Sequence, residues 1–328
     1  MLLFQLSAFQ HFRFFFPVSV VAAIVTHRRP AELERLLKTL GGSRVPLSGC
    51  VISDHAPDGT TAAMARRFPF ETIVREDPSN PGPGAGWANA ARAALDHFRG
   101  ADAVWYLDDD VTIPPDALGT LLAAKEKAGA ESIAPLLEDG GGRLWAFPEP
   151  ADPALRALIR QAATPAQARQ LLGESPLSFC WCTGACYLVG KSAIERLGLH
   201  RPDFWLLGED LEYSMRLASQ SRAVFTCQVS IPHLPPPAPA TSVALRSDYM
   251  KFCSLLQNLS YLAFHSPHSR HMKRYLPGNF RRFLRSHRPL NRTTRDALAC
   301  FWNGAVQGEP AGTPSGAILR ERILRYGF

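Results

Sequence analysis

The chain lacks any uninterrupted apolar run of about 18 residues, the length a membrane-spanning helix needs. Its apolar N-terminus is broken by Arg13 and Pro17, and it has neither a basic n-region nor a cleavage site. Neither a spanning helix nor a secretory signal is therefore expected. Met1 to Phe15 reads instead as an extra strand, a peripheral anchor or an addition to the native chain. There is no internal repeat, which excludes a solenoid, and no long low-complexity segment. Pro232 to Pro239 is a short proline-rich connector. The glycine-rich segment Asn80-Pro81-Gly82-Pro83-Gly84-Ala85-Gly86 is not followed by Gly-Lys-Ser/Thr, which excludes a P-loop. The seven cysteines are odd in number and irregularly placed, as expected in a reducing compartment. Cys180, Cys182 and Cys186 lie close together but lack a fourth ligand at zinc-like spacing. They sit among Phe179, Trp181, Tyr187 and Leu188 and read as core thiols.

What is present is ordinary globular composition, 46% hydrophobic and 20% charged over 328 residues, enough for one large domain with an appendage. The net charge of +7 is unevenly spread. From Thr241 to Phe328, 14 Lys/Arg stand against 4 Asp/Glu, whereas the first 240 residues carry 22 against 25. The expected organisation is an N-terminal extension over 1–17, a principal domain over 18–240 and a basic, mainly helical region over 241–328.

Val18 to Val25 is an apolar, β-branched run followed by a helical pattern at Leu33, Leu36, Leu37 and Leu40, with Gly41-Gly42 as the stop. Gly49 to Ser53 predicts a second strand ending in Asp54, then a helix over Thr61 to Phe68. Glu71 to Val74 is a third strand, the glycine-rich turn follows, and Trp87 to Phe98 is the next helix. Val104 to Leu107 is the fourth strand. Such alternation predicts an α/β fold with a doubly wound, mostly parallel sheet flanked by helices. Ligands of these sheets bind beyond the carboxyl ends of the strands, where Thr26, Asp54, Asn80 and Asp108 all fall.

The fourth strand delivers Asp108, Asp109 and Asp110 in a row. Three adjacent like charges at the end of a buried strand require a positive partner, and a hard divalent cation with oxygen ligands is the expected one. In an extended segment Asp108 and Asp110 point one way and Asp109 the other, so one pair can hold a metal while the middle carboxylate does something else. Further on, Phe204-Trp205-Leu206-Leu207-Gly208 leads into Glu209 and Asp210, the opening of a helix. These acids either complement the helix dipole or face a substrate. His233 follows the strand Ala223 to Ser230 and is a candidate third ligand.

Together these residues resemble inverting family-2 glycosyltransferases of the GT-A fold. They are closest to bacterial galactofuranosyltransferases and rhamnosyltransferases that build cell-surface polysaccharides. The likeness runs from about Val18 to Pro235, and Trp105-Tyr106-Leu107-Asp108-Asp109-Asp110-Val111 is its most specific match. It implies Mn²⁺ or Mg²⁺ on Asp108 and Asp110 with His233 as the later ligand. It implies nucleotide-sugar contacts at Thr26, Asp54, Asn80 and Asp109, and a catalytic base at Asp210 with Glu209 sharing or replacing that role. Ser53 departs from the family pattern, which usually has Asp before Asp54, and Asn-Pro-Gly-Pro-Gly replaces a double glycine. Trp181 and Trp205 are expected either to stack on acceptor sugars or to pack in the core.

The resemblance implies transfer of a sugar, such as the galactofuranose of UDP-galactofuranose or the rhamnose of dTDP-rhamnose, to a hydroxyl of a cell-surface glycan or lipid-linked acceptor. In the tail, Lys273, Arg274, Arg281, Arg282, Arg285 and Arg288 interleave with Tyr275, Leu276, Phe280, Phe283 and Leu284. That pattern suits peripheral contact with anionic lipid at the cytoplasmic face of the inner membrane, or a solvated helix face. The competing readings are a nucleotidyltransferase acting on a sugar phosphate, and a basic nucleic-acid-binding protein. The first lacks a Lys/Arg-rich glycine loop near the first strand and the second lacks any recognition motif, so no nucleic-acid partner is expected.

Overall fold

The structure is a computed structural model, and it describes residues 18–235, 242–267, 270–286, 290–314, 316–318 and 321. The N-terminal extension, the junction at 240 and Arg288 lie outside the described residues. The first half alternates as the sequence predicts: β1 (Val20–Thr26), α1 (Pro30–Gly41), β2 (Gly49–Asp54), α2 (Thr60–Ala65), β3 (Thr72–Glu76), α3 (Pro83–His97) and β4 (Ala103–Asp108). There follow α4 (Ala117–Ala128), β5 (Ser132–Glu138), β6 (Leu144–Ala146), β7 (Glu149–Pro150), α5 (Pro153–Ile159), α6 (Pro165–Leu172), β8 (Leu177–Trp181), β9 (Cys186–Gly190), α7 (Lys191–Leu197), α8 (Glu209–Gln220) and β10 (Ala223–Pro232).

The strands form one sheet in the order β3-β2-β1-β4-β9-β5-β10-β8-β7, with β6 beside β5. β3, β2, β1 and β4 are parallel, as expected from the βα alternation. Beyond β4 the sheet is mixed: β9 inserts antiparallel between β4 and β5, while β10 runs parallel to β5. Alternate residues of β1 and β4 feed two separate cores. Val20, Ala22, Ile24, Trp105 and Leu107 pack on the leucines of α1 and on α4. Val21, Ala23, Val104 and Tyr106 pack on the alanine face of α3 and on Tyr213 and Leu217 of α8. Both faces are therefore dry, which is why these strands read as continuous apolar runs rather than alternating ones. Burying each leucine of α1 contributes about 1.5–3 kcal/mol, more than helix propensity does, so packing fixes the helix.

Several boundaries differ from expectation: α2 ends at Ala65 rather than Phe68, β3 runs on to Glu76, and the largest shift is at α3. Helix α3 begins at Pro83, inside the segment read as a turn, because proline is tolerated in a first helical turn. Gly82 makes the bend before it at φ 89°, and a Cβ there would lie 1.9 Å from the Trp205 carbonyl oxygen, so no other residue fits.

The C-terminal part is helical where described: α9 (Ser242–His265), a 3₁₀ turn (Arg270–Arg274), α10 (Leu276–Ser286), α11 (Leu290–Phe301) and a π-helical turn (Trp302–Val306). These helices share a third apolar cluster with Phe204 and Met215 of the α8 region. The contact is also polar. Arg201 donates to the Tyr261 hydroxyl at 2.6 Å, and the Gly312 N–H donates to the Asp203 carbonyl at 2.7 Å. All seven cysteines are free thiols, as the spacing predicts.

Candidate active site

β4 ends at Asp108, and Asp109 and Asp110 turn away from it before a bridge forms at Val111. The turn separates the carboxylates in the way the extended geometry anticipates. Asp109 Oδ2 accepts from Thr26 Oγ1 at 2.7 Å, which ties it to the end of β1. Asp110 faces the opposite partner, His233. That histidine arrives from the far side of the sheet because Val111 and His233 pair as an antiparallel bridge. The His233 N–H donates to Glu138 O and the Leu234 N–H to Asp110 O, each at 2.8 Å. His233 Nε2 then lies 3.1 Å from Asp110 Oδ1.

One ligand atom from each of Asp108, Asp110 and His233 lies within 4.8 Å of the other two, and this is the one such cluster found among the described residues. Asp110 Oδ1 is buried without a hydrogen-bond donor. Two carboxylates, an imidazole and an unsatisfied inward-facing oxygen fit Mg²⁺ or Mn²⁺. Part of the positive charge the triplet requires comes from elsewhere in the chain. Arg29 Nη1 reaches Asp109 Oδ1 at 3.0 Å and Asp110 Oδ2 at 2.7 Å. The sequence reading missed this pairing, although Arg29 stands three residues after Thr26 at the same strand end.

The electrostatics follow from crowding. Burial, then the charges of Asp110, Asp109 and Asp210, hold the Asp108 pKa well above the usual carboxylate range. Burial pushes Asp109 up to about 6 against the pull of Arg29 and Thr26. Asp110 feels the same burial, but His233 and Arg29 outweigh it and leave its pKa lowered.

The acidic pair opens α8 opposite the triplet, close enough that the charge of Asp210 acts on Asp108. Leu207 (φ 60°) and Gly208 (φ 106°) form a left-handed turn before it. Asn258 of α9 holds that turn: its Nδ2 donates to Leu206 O at 3.3 Å and Leu207 O at 2.7 Å, while its Oδ1 accepts from the Ala311 N–H at 2.7 Å. Asp210 Oδ2 accepts from the Gly184 N–H at 2.9 Å and Oδ1 from the Leu211 N–H at 2.8 Å. Burial raises the pKa of Asp210, opposed by backbone N–H groups of Gly184, Leu211 and Gly208. Glu209 is more deeply placed, its Oε2 has no hydrogen-bond partner, and burial beside Asp210 raises it well above the ordinary value. The two acids are therefore unequal: the Asp210 carboxylate accepts from backbone N–H groups, whereas Glu209 Oε2 is buried without a partner and its pKa is pushed up by that burial and by Asp210.

Thr26 and Asp54 line a cavity of about 260 Å³ with Arg28, Arg29, Asp58 and Thr60. Asn80 is not among the residues lining it. Its backbone sits at φ 49° and its carbonyl accepts from the Trp205 indole at 3.4 Å. Ser53 contacts His55 Nε2 at 3.1 Å and borders a different cavity of about 290 Å³ with Arg75, Asn89 and Arg92. Trp181 is partly buried and packs against the C-terminal helices, with its indole nitrogen buried. Sequence reading also assigns no role to Gly184, Asn258 or Trp145, whose ring stacks on His233. None of the three carries a local sequence signal, because each acts across 26 or more residues.

Comparison with known proteins agrees with this geometry. Residues 21–192 match the model of glycosyl transferase family 2. Galactofuranosyltransferase GlfT1 of Mycobacterium tuberculosis is 31% identical over 215 residues, which cover 64% of this chain and 67% of that protein. Among solved structures, Staphylococcus aureus TarS 1-349 in complex with UDP aligns with TM-score 0.56 at 13% identity, covering 93% of this chain and 86% of TarS 1-349. The mannosyltransferase PcManGT of Pyrobaculum calidifontis, in complex with GDP-Man and Mn²⁺, aligns with TM-score 0.53 at 18% identity, covering 95% and 81%. The fold is thus that of GT-A glycosyltransferases. The family match spans the strands that carry Thr26, Asp54 and the acid triplet. The chain belongs to glycosyl transferase family 2 and is a glycosyltransferase.

Proposed function

We propose that this enzyme transfers a sugar, with inversion, from a nucleotide-diphosphate donor to a hydroxyl of a cell-surface glycan or lipid-linked acceptor. Similarity to a galactofuranosyltransferase favours UDP-galactofuranose as donor over dTDP-rhamnose. Thr26, Asp54 and Asp109 bind the nucleotide end from the carboxyl edge of β1, β2 and β4. Asp108, Asp110 and His233 hold a Mn²⁺ or Mg²⁺ ion, which supplies neutralisation of the charge that develops on a leaving diphosphate. Asp210 removes the acceptor hydroxyl proton as that oxygen bonds to the anomeric carbon and the bond from this carbon to the donor phosphate oxygen breaks. A single displacement of this kind inverts the configuration. The observation that carries the reading is Asp210 itself: held by backbone N–H groups, raised in pKa, and near enough to Asp108 for its charge to act there. General-base assistance of this kind contributes about 10²–10⁴-fold.

The test is release of nucleoside diphosphate from a panel of UDP-, GDP- and dTDP-sugars with Mn²⁺ or Mg²⁺ and a glycan acceptor. Chelator should abolish release. Asp210→Asn should lose at least about 10²-fold in turnover while donor affinity, measured by calorimetry, stays close to wild type. Near-normal turnover in that variant sinks the assignment of the base.

We further infer peripheral contact with anionic membrane at the cytoplasmic face. No helix among the described residues is long and apolar enough to cross a bilayer. Cations rest on aromatic faces along the C-terminal helices: Lys273 over Phe264 at 4.9 Å, Arg274 over Tyr275 at 5.0 Å and Arg282 over Phe252 at 5.5 Å. Flotation with liposomes containing anionic lipid should carry the protein upward at low salt, and failure to float there removes the membrane reading.

A further inference from the structure

The metal-facing histidine is held in an unusual way. Its backbone is fixed on both sides, by the bridge to Val111 and by the N–H bond to Glu138 O. What remains is rotation of the imidazole about its own side-chain bonds. A metal-binding histidine ordinarily has that freedom removed by a hydrogen bond from its second ring nitrogen to a carboxylate, a carbonyl or water, and loss of that partner costs metal affinity. His233 has no such bond: Nδ1 is buried and without a hydrogen-bond partner among the described residues. Its ring is instead covered by an indole. Trp145, in the middle of β6, stacks on it with ring centroids 3.9 Å apart and planes inclined by 18°. Trp145 is 48% exposed, so burial in the core does not explain a tryptophan there. β6 is a short strand on the edge of β5, paired through Leu137 with Ala146 and Glu138 with Leu144. Glu138 is also the residue whose carbonyl anchors the His233 backbone. One hairpin thus supplies both the backbone anchor and the ring clamp.

We propose that Trp145 is a positioning residue of the metal centre: its indole face, in place of the usual hydrogen bond, locks the His233 imidazole in the rotamer that aims Nε2 at Asp110. This rests on the reading of Asp108, Asp110 and His233 as metal ligands. Trp145 touches no reacting atom in this role; it acts through His233. A flat aromatic ring suffices for the clamp, so phenylalanine should replace tryptophan and alanine should not.

The experiment is Mn²⁺ titration of the full chain by calorimetry, with free Mn²⁺ followed in parallel by electron paramagnetic resonance. Wild type, Trp145→Ala, Trp145→Phe and Asp110→Ala are compared, and thermal melting verifies that each is folded. Trp145→Ala should bind Mn²⁺ about three- to tenfold more weakly, the range set by loss of an aromatic pair, with Trp145→Phe within about twofold of wild type. Wild-type affinity in Trp145→Ala, or equal losses in the Ala and Phe variants, overturns the clamp while leaving the metal site standing. Absence of Mn²⁺ binding by the wild type, or no effect of Asp110→Ala, overturns the metal site and the clamp together.

Discussion

Gly184 offers the sharpest test of how Asp210, the proposed base, is aimed. It lies between β8 and β9, and its N–H donates to Asp210 Oδ2 at 2.9 Å. A Cβ placed on it would meet Trp87 Cη2 at 2.5 Å and Asp210 Cβ at 2.9 Å. To restore an ordinary 3.4 Å contact on both sides with the backbone fixed, the Trp87 ring must retreat by about 0.9 Å and Asp210 by about 0.5 Å. Trp87 is 2% exposed and its ring is backed by His200 at 5.1 Å, so it has little room to give. Asp210 and the Gly184 backbone must then part. Gly184 is not at a positive φ, so Gly184→Ala adds no backbone strain and isolates the packing effect. Overpacking of this kind costs about 1–3 kcal/mol of stability. Misplacement of a reacting group approaching 1 Å costs about 10²-fold in rate. The expected outcome is a fall in kcat of about 10- to 100-fold with donor affinity nearly unchanged, since Thr26 and Asp54 are carried by other strands, β1 and β2. Turnover of a purified variant at saturating donor, beside calorimetric donor titration, measures both. A kcat within twofold of wild type in a folded variant refutes the claim that Gly184 aims Asp210.

Two further outcomes follow. Asn258→Asp keeps the shape but removes the N–H donor to Leu206 and Leu207 and sets a buried carboxylate against their part-buried carbonyls, at a cost of about 1–3 kcal/mol. A lower Tm and at least tenfold lower kcat are expected, and wild-type values of both would show that the turn does not need this clamp. On pH, Asp210 must be ionised to act, and burial raises its pKa above the ordinary 3.8, so the acid limb of kcat/KM should lie above the usual carboxylate range. A profile flat down to pH 4 contradicts that. Glu209 and Asp108 are also raised, so the folded metal-free chain keeps protons that the unfolded chain has released. Its stability should fall as pH rises from their ordinary values of 4.5 and 3.8 toward the raised ones, a trend that thermal melts with chelator would follow.

Much of the first half was legible because its signals are local. Apolar runs, leucines at helical spacing and polar residues at strand ends determine β1 through β4, and the placement of Thr26, Asp54 and Asp108 follows from them. The antiparallel insertion of β9 between β4 and β5 was not legible, since it depends on pairing between segments about 80 residues apart, such as Trp105 with Leu188. The start of α3 at Pro83 was misread because proline and glycine at a first helical turn look like a loop. The acid triplet announced its need for positive charge but not its source, and Arg29 became identifiable only once β1 and β4 lay side by side. His233 was reached through resemblance; the bridge to Val111 supplies the physical reason.

The turn before Glu209 is fastened from far downstream: by Asn258, through the Ala311 amide, with Gly312 tied to Asp203. This sets an order of events during synthesis. The parallel strands and the edge that carries Thr26, Asp54 and Asp108 precede this segment in the chain and emerge before it. At about 5–20 residues per second, the stretch from Asn258 to Gly312 takes several seconds more to appear. Through that interval a nascent chain would carry the proposed donor site without an aligned Asp210, so on the proposed mechanism it would bind before it could react.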